Sequence, residues 1–314
     1  DDLGGIAAKS GGIDETYSFF EYHGTTSRTH AMIPIMNGCD NFCSYCIVPY
    51  VRGREISRDS TGIINEIKDL NSRNISEITL LGQNVNSYRY KNTIGQEINF
   101  SNLLKMIISE TDTKWLRFTS SNPQDFSDEL LDIIAVENSI CGSIHLPAQH
   151  GSDRILERMN RKYSSADYNK LASVLKSMEK GVSLTTDLMV GFPGESEEDF
   201  DQLTAFMNEI RFEEAFTYYY NPREGTAAYN LQDDVPERVK LDRLSQITSE
   251  EKMKRVGTVV EAVIEGPSKK NENEILARTE RNSMVVYPGT IKDNNYYVKL
   301  RLVNLKGNTF IGEI

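Results

Sequence analysis

Six apolar runs recur along the first 220 residues: Ala31–Met36, Ile75–Leu81, Trp115–Phe118, Ser143–Leu146, Ser183–Val190 and Ala215–Tyr220. Helix-like stretches separate them, at 60–73, near 100–110, near 127–138, at 164–180 and at 196–210. In the first of these, Ile63, Ile64, Ile67 and Leu70 fall at helical spacing. A strand–helix–strand alternation needs crossover connections, and those give a parallel sheet. The expected core is therefore α/β, either an open barrel or a doubly wound sheet. Every segment rich in ligand-type residues follows a strand: the loop after Met36, GQNVN (82–86), SSNP (120–123), LPAQHGS (146–152), GFPGE (191–195) and NPREGT (221–226). Loops placed this way form the C-terminal rim of a barrel, where active sites are built. Glycine and proline after a strand are also ordinary turn chemistry, so no single loop carries this argument.

The first of these loops is the most specific. Cys39, Cys43 and Cys46, three of the chain's four cysteines, fall within eight residues as C-x3-C-x2-C. Three neighbouring thiols pair poorly as disulfides, and no secretory signal precedes them. Two metal readings remain. Structural zinc needs a fourth ligand, which His30 or His23 could supply, although neither sits at a usual zinc-finger offset. Iron–sulfur clusters take thiolates, usually four, so three would leave one iron of a [4Fe-4S] cube open to an exchangeable ligand. Cys141 stands alone and reads as a small core residue.

C-x3-C-x-aromatic-C after a strand resembles the signature of the radical S-adenosylmethionine (SAM) superfamily. The longer string from Gly38 to Cys46, continued by Arg52-Gly53-Arg54-Glu55-Ile56-Ser57-Arg58, is similar to the methylthiotransferases, and within them to the tRNA-modifying MiaB group. The resemblance covers roughly 31–314 and implies a partial (β/α)6 TIM-type barrel followed by a small antiparallel, TRAM-like β-barrel. It implies that Cys39, Cys43 and Cys46 hold a [4Fe-4S] cluster whose fourth iron is chelated by SAM. Tyr45 then lies against the adenine, and Gly82, Gln83 and Asn84 meet the amino group. Asp187 and the segment Gly191 to Glu195 approach the nucleoside, and Gln149 lines the pocket. Either Arg154 or Arg161 could meet a carboxylate. His145 and His150 beside the rim read as satisfied polar residues. The implied chemistry is reductive cleavage of SAM to a 5′-deoxyadenosyl radical, which takes the C2 hydrogen of an N6-isopentenyl-adenosine at tRNA position 37. A methylthio group from a second, auxiliary [4Fe-4S] cluster follows.

The auxiliary cluster belongs to an N-terminal domain with three further cysteines, and nothing upstream of residue 31 corresponds to it. The chain also opens on Asp1-Asp2 without a methionine, so it reads as a truncated form. Relatives acting on threonylcarbamoyl-adenosine or on a ribosomal protein are the alternatives for substrate, and a zinc-stabilised RNA-binding protein is the alternative of another class. Leu81-Gly82-Gln83-Asn84-Val85-Asn86 and Asn41-Phe42 favour the isopentenyl-adenosine group.

Three segments are expected: a lead-in at 1–30, the core at 31–256 and the tail at 257–314. The tail follows a charged helix at about 235–255. Its short strands (Thr258–Glu265, Ile275–Thr279, Met284–Tyr287, Tyr296–Val303 and Thr309–Ile311) and turns read as an RNA-binding barrel or a structural cap. Net charge is −11, yet 257–314 carries +1, so overall acidity says little about an RNA partner. No apolar run approaches the roughly 20 residues of a membrane span. The expectation is a cytoplasmic monomer, off the membrane, partnered by tRNA and by an electron donor such as flavodoxin or ferredoxin.

Overall fold

The computed structural model describes residues 29–247, 255–269, 271–290, 296–306 and 309–314. Residues 1–28 of the lead-in expected at 1–30, His23 among them, and the stretch 248–254 of the charged helix lie outside them.

Six strands form the core: β1 (His30–Pro34), β2 (Glu77–Leu81), β3 (Trp115–Phe118), β4 (Ser143–His145), β5 (Ser183–Val190) and β6 (Glu214–Tyr219). They pair in parallel as two three-stranded sheets, β1-β2-β3 and β6-β5-β4. A parallel bridge from Leu116 to Ile140 joins the sheets, and the Cys141 amide donates to the Leu116 carbonyl at 3.0 Å. Among the described residues β1 and β6 do not pair, so the sequence's two options resolve as an open six-strand barrel.

Five crossover helices cover the outside: α1 (Ser60–Ser72), α2 (Phe100–Glu110), α3 (Asp128–Val136), α4 (Ser165–Lys176) and α5 (Glu197–Ile210). Each begins on a side chain that accepts a first-turn amide: Asp59, Asn99, Ser127, Ser164 and Ser196. The last two form capping boxes with Asp167 and Asp199. The acidic run Glu197-Glu198-Asp199 thus occupies a helix's first turn, where the macrodipole favours it. A sixth helix, α6 (Glu237–Gln246), follows the core.

Alternate strand residues face opposite ways. Ile78, Leu80, Leu116, Phe118, Leu184 and Leu188 are buried in one core with Ile63, Ile67, Leu104 and Leu203 of the helices. By the same alternation the other strand residues, including Met32, Thr79, Arg117, His145, Thr185, Asp187, Phe216 and Tyr218, fall on the lumen side. Met32, Phe216 and Tyr218 remain 51%, 42% and 54% exposed there, so the lumen is open.

The tail is a closed barrel of β7 (Val259–Ser268), β8 (Asn271–Thr279), β9 (Met284–Pro288), β10 (Tyr297–Lys306) and β11 (Thr309–Glu313), in the order β7-β8-β9-β11-β10. Four pairings are antiparallel. The barrel is not wholly antiparallel as expected, because β11 closes it by lying parallel to β9, Met284 opposite Thr309.

The tail docks at the strands' N-terminal ends, away from the cysteine loop. Glu77, the first residue of β2, is fully buried between Arg117 Nε at 2.7 Å and both terminal nitrogens of Arg278 at 2.7 and 2.8 Å. Arg117 also donates to the carbonyls of Thr279 and Glu280. Trp115 meets Tyr297 edge to face at 5.1 Å, and Arg255 bridges Glu213 and Ser283.

Candidate functional site

After β1 the chain makes a two-residue ribbon, Met36–Asn37 against Ile56–Ser57, which closes the base of the cysteine loop. Gly38 starts the loop at φ 79°, and a Cβ there would lie 2.0 Å from the Arg54 carbonyl oxygen, so only glycine fits. The Cys39 amide donates to the Gly53 carbonyl at 3.2 Å, and Asp40 accepts from the Glu55 amide at 3.2 Å. Phe42 takes the left-handed conformation (φ 47°), and the Cys46 amide turns back to the Cys43 carbonyl at 2.9 Å.

A second segment grips this loop from 115 residues away in sequence. Ser44 donates through its amide to the Met159 carbonyl at 3.0 Å and through its hydroxyl to the Arg158 carbonyl at 2.8 Å. Asn160, itself left-handed at φ 58°, donates to the Phe42 carbonyl at 2.8 Å. Arg161 Nη1 lies 3.2 Å from Cys43 Sγ. Its other nitrogens are held by the Tyr163 hydroxyl at 2.8 Å and the Pro147 carbonyl at 3.1 Å. Arg154 instead pairs with Asp199 and donates to the Gly194 carbonyl at 2.6 Å. Of the two arginines left open by the sequence, Arg161 is the one at the cysteine loop.

Cys39 is buried, and burial pushes its thiol up to about 11; the Asn41 contact offsets part of this, and Glu55 and the other two thiols add to it. Burial raises Cys46 as well. Metal binding must therefore displace protons, as it does for coordinating thiols generally. Among the described residues no group of three His, Cys, Asp and Glu side chains could hold a metal ion as placed. Tetrahedral zinc would need sulfurs within about 4 Å of one another, whereas a cube takes each thiolate at a different corner. His30, the described candidate for zinc's fourth ligand, sits at the far end of β1, bonded to Thr79 at 3.0 Å. Three loop thiols that act on one another, with the Arg161 guanidinium beside Cys43 and acting on Cys46, fit an anionic cluster.

The remaining candidates divide. Tyr45 is half-buried against Ile155, Met159, Phe192 and Tyr220 beside the loop. Gly82 abuts Met36, whose Cγ would lie 2.4 Å from an added Cβ, so the second rim loop sits directly on the root of the first. Next to it, Gln83 Oε1 and Asn84 Oδ1 are buried acceptors without a hydrogen-bond partner, while Asn84 Nδ2 donates to Asp125 at 2.8 Å. Orphaned buried acceptors are costly, and each invites a donor. Gln149 is left-handed (φ 67°) and extends the sheet beyond β4, exchanging backbone bonds with Asp187 and Met189 at 2.8 Å each. Asp187 lies 3.3 Å from His145 Nε2, whose Nδ1 is 3.0 Å from Thr185, so His145 is satisfied in the lumen wall.

Two expected ligand contacts have other partners. Gly191 (φ 68°) faces Lys240, whose Cγ an added Cβ would meet at 2.3 Å. Glu195 is fully buried, one oxygen on Arg243 at 2.7 Å and the other accepting from the Phe192 amide at 3.2 Å, with His150 3.4 Å away. These contacts commit the carboxylate to holding the GFPGE loop on α6, while the expected approach to the nucleoside is by the segment's backbone. Sequence reasoning missed Ser44 as a grip on the cysteine loop, and it placed the stretch from Arg154 to Tyr163 at the pocket without giving Asn160 this role.

The model of the Radical SAM superfamily matches residues 33–207. Among solved structures, the radical SAM methyltransferase TsrM from Kitasatospora setae superposes with a TM-score of 0.51 at 19% identity, over 63% of this chain and 38% of that one. Coproporphyrinogen III oxidase (HemN) from Escherichia coli gives 0.50 at 16%, over 70% and 51%. These establish the fold. Among curated proteins, the tRNA-2-methylthio-N(6)-dimethylallyladenosine synthase of Treponema denticola is 44% identical over 307 residues, 94% of this chain and 68% of that protein. The protein of that name from Porphyromonas gingivalis is 41% identical over 293 residues, 91% of this chain and 63% of that protein. The chain thus spans about two thirds of the length of these relatives. Matched at this identity across nearly all its residues, with the cysteine loop inside the matched region, the chain belongs to the radical SAM superfamily and, within it, to the family of the tRNA-2-methylthio-N(6)-dimethylallyladenosine synthases.

Proposed function

We propose that this chain is the SAM-cleaving core of a tRNA methylthiotransferase, acting at C2 of the N6-isopentenyl-adenosine at position 37. The carrying observation is the cysteine loop: three thiols at the C-terminal end of β1, over an open lumen, in a chain 44% identical to a synthase of that name. Cys39, Cys43 and Cys46 would hold the [4Fe-4S] cluster. Cluster and SAM together supply a one-electron cleavage that yields a carbon radical able to take an unactivated hydrogen. The chain's own residues position and shield. Gln83 and Asn84 would accept from the SAM amino group through their unpaired oxygens, Tyr45 and Gln149 would frame the nucleoside, and Asp187 lies in the wall beside them. Met32, Phe216 and Tyr218 add exposed apolar surface to an otherwise polar lumen, suited to a base carrying a prenyl chain.

The sulfur source would be an auxiliary cluster in the part of the relatives' length that this chain does not span. The tail, 257–314, is TRAM-like in our reading and contacts the tRNA, while its docked face also closes the lumen's lower end. An electron donor of the flavodoxin or ferredoxin kind, a monomeric state and a cytoplasmic location complete the proposal; no helix among the described residues is long and apolar enough to cross a membrane. The test is the tRNA of a strain lacking the gene. Mass spectrometry should find the isopentenyl group retained at position 37 and the 2-methylthio group gone. Unchanged methylthio content would refute the tRNA reading, and a loss confined to threonylcarbamoyl-adenosine would move the enzyme to that substrate.

A further inference from the structure

Arg161 carries a charge that no described carboxylate answers. Among the described residues no carboxylate lies within ion-pair distance of it, whereas Arg154, seven positions earlier, is paired with Asp199. A half-buried guanidinium without a counter-ion is expensive. Its three polar contacts are a phenol, a carbonyl and a sulfur: Tyr163 Oη at 2.8 Å, the Pro147 oxygen at 3.1 Å and Cys43 Sγ at 3.2 Å. Only the sulfur becomes anionic at work. Tyr163 is itself anchored, donating to the carbonyls of Pro147 and Ala148 at 3.1 and 3.0 Å. The guanidinium plane is therefore fixed on three sides. The bonds from Ser44 and Asn160 hold the sulfur in its aim.

We infer that Arg161 is a positioning residue for the cluster's redox poise, donating a charge-assisted hydrogen bond to the Cys43 thiolate once it ligates iron. Hydrogen bonds to cluster sulfurs and nearby charge set the reduction potential. One-electron reduction adds a negative charge to the cluster, so a fixed cation beside a ligand sulfur favours the reduced state and raises the potential. This rests on the cluster-binding part of the proposed function and on nothing about tRNA.

The experiment is an EPR-monitored redox titration of the anaerobically reconstituted chain, with iron and sulfide quantified and no substrate added. Arg161→Gln should shift the midpoint negative by at least a tenfold change in the reduction equilibrium, 59 mV for one electron. Arg161→Lys keeps a charge but not the three-sided fixation, and should shift it less in the same direction. Arg154→Gln should leave the midpoint unchanged. A parental midpoint in Arg161→Gln, or in Arg161→Lys should the glutamine variant not retain iron, overturns the inference. A parent chain that takes up no iron and sulfide would sink the proposed function as well; a cluster indifferent to Arg161 sinks this inference alone.

Discussion

Glu77→Ala lowers the stability of the chain by about 3–5 kcal/mol, the cost of removing one partner from a buried ion network. The carboxylate is fully buried at the first position of β2, between Arg117 of the core and Arg278 of the tail, and Arg278 is shared with Glu265 at 2.7 Å. Without it, two buried guanidinium groups face each other with one carboxylate remaining. Burial alone would raise this carboxyl; Arg278 first and then Arg117 outweigh it and hold it below its ordinary value. A depressed folded value stabilises fully above the unfolded value, about pH 4.5, and the contribution fades as pH falls through the folded one. The wild type should therefore shed stability in acid below about pH 4, and Glu77→Gln should show a flatter profile there. Urea titrations can follow the single tryptophan, Trp115, which sits against Tyr297 at this junction. A loss under about 1 kcal/mol would mean the network is not what joins tail to core. Cutting the chain at residue 257 is correspondingly a poor test of RNA binding, because it uncovers Glu77.

Replacing Cys39, Cys43 or Cys46 by alanine, one at a time, should lower retained iron and sulfide and reduce SAM cleavage by roughly 100-fold or more, beyond what loss of an outer-shell partner costs a metal site. Cys39→Ala should be the least recoverable, since exogenous thiol reaches its buried corner poorly. Cys141→Ala is the internal control. That thiol is buried with Trp115 and Val263, where burial pushes it up to about 11, and it takes no part in the loop. Its loss should cost on the order of 1 kcal/mol in stability with iron content unchanged. Iron content that survives a single loop substitution while disappearing in Cys141→Ala would reverse the assignment.

What the sequence could and could not disclose follows the range of the interactions. Helix starts were readable because a cap and its first turn are neighbours, as with Asp59 before α1 and Ser196 before α5. The cysteine triplet was readable because its spacing is itself the constraint. Expected limits in the core moved only slightly: the run Ala31–Met36 divides into His30–Pro34 and a two-residue ribbon, and the helix at 164–180 stops at Lys176, whereas the tail strand expected at Ile275–Thr279 begins at Asn271. The short helix Asp153–Arg158 and the hairpin Arg89–Lys91 with Glu97–Asn99 went unread, being too brief to show a period. Contacts between distant segments were invisible. Nothing local tells that Arg161 reaches Cys43, that Glu195 is held by Arg243, or that Arg278 crosses 201 positions to Glu77. Glycine illustrates the limit well: Gly191 looks the same whether its missing side chain makes room for a ligand or, as here, for Lys240.

The central claim is that three thiolates leave one iron free for SAM, and low-temperature EPR of the dithionite-reduced, anaerobically reconstituted chain addresses it directly. Adding SAM should change the cluster's g-values and line shape at a stoichiometry near one per cluster. A spectrum identical with and without SAM, on protein with full iron and sulfide, would contradict it.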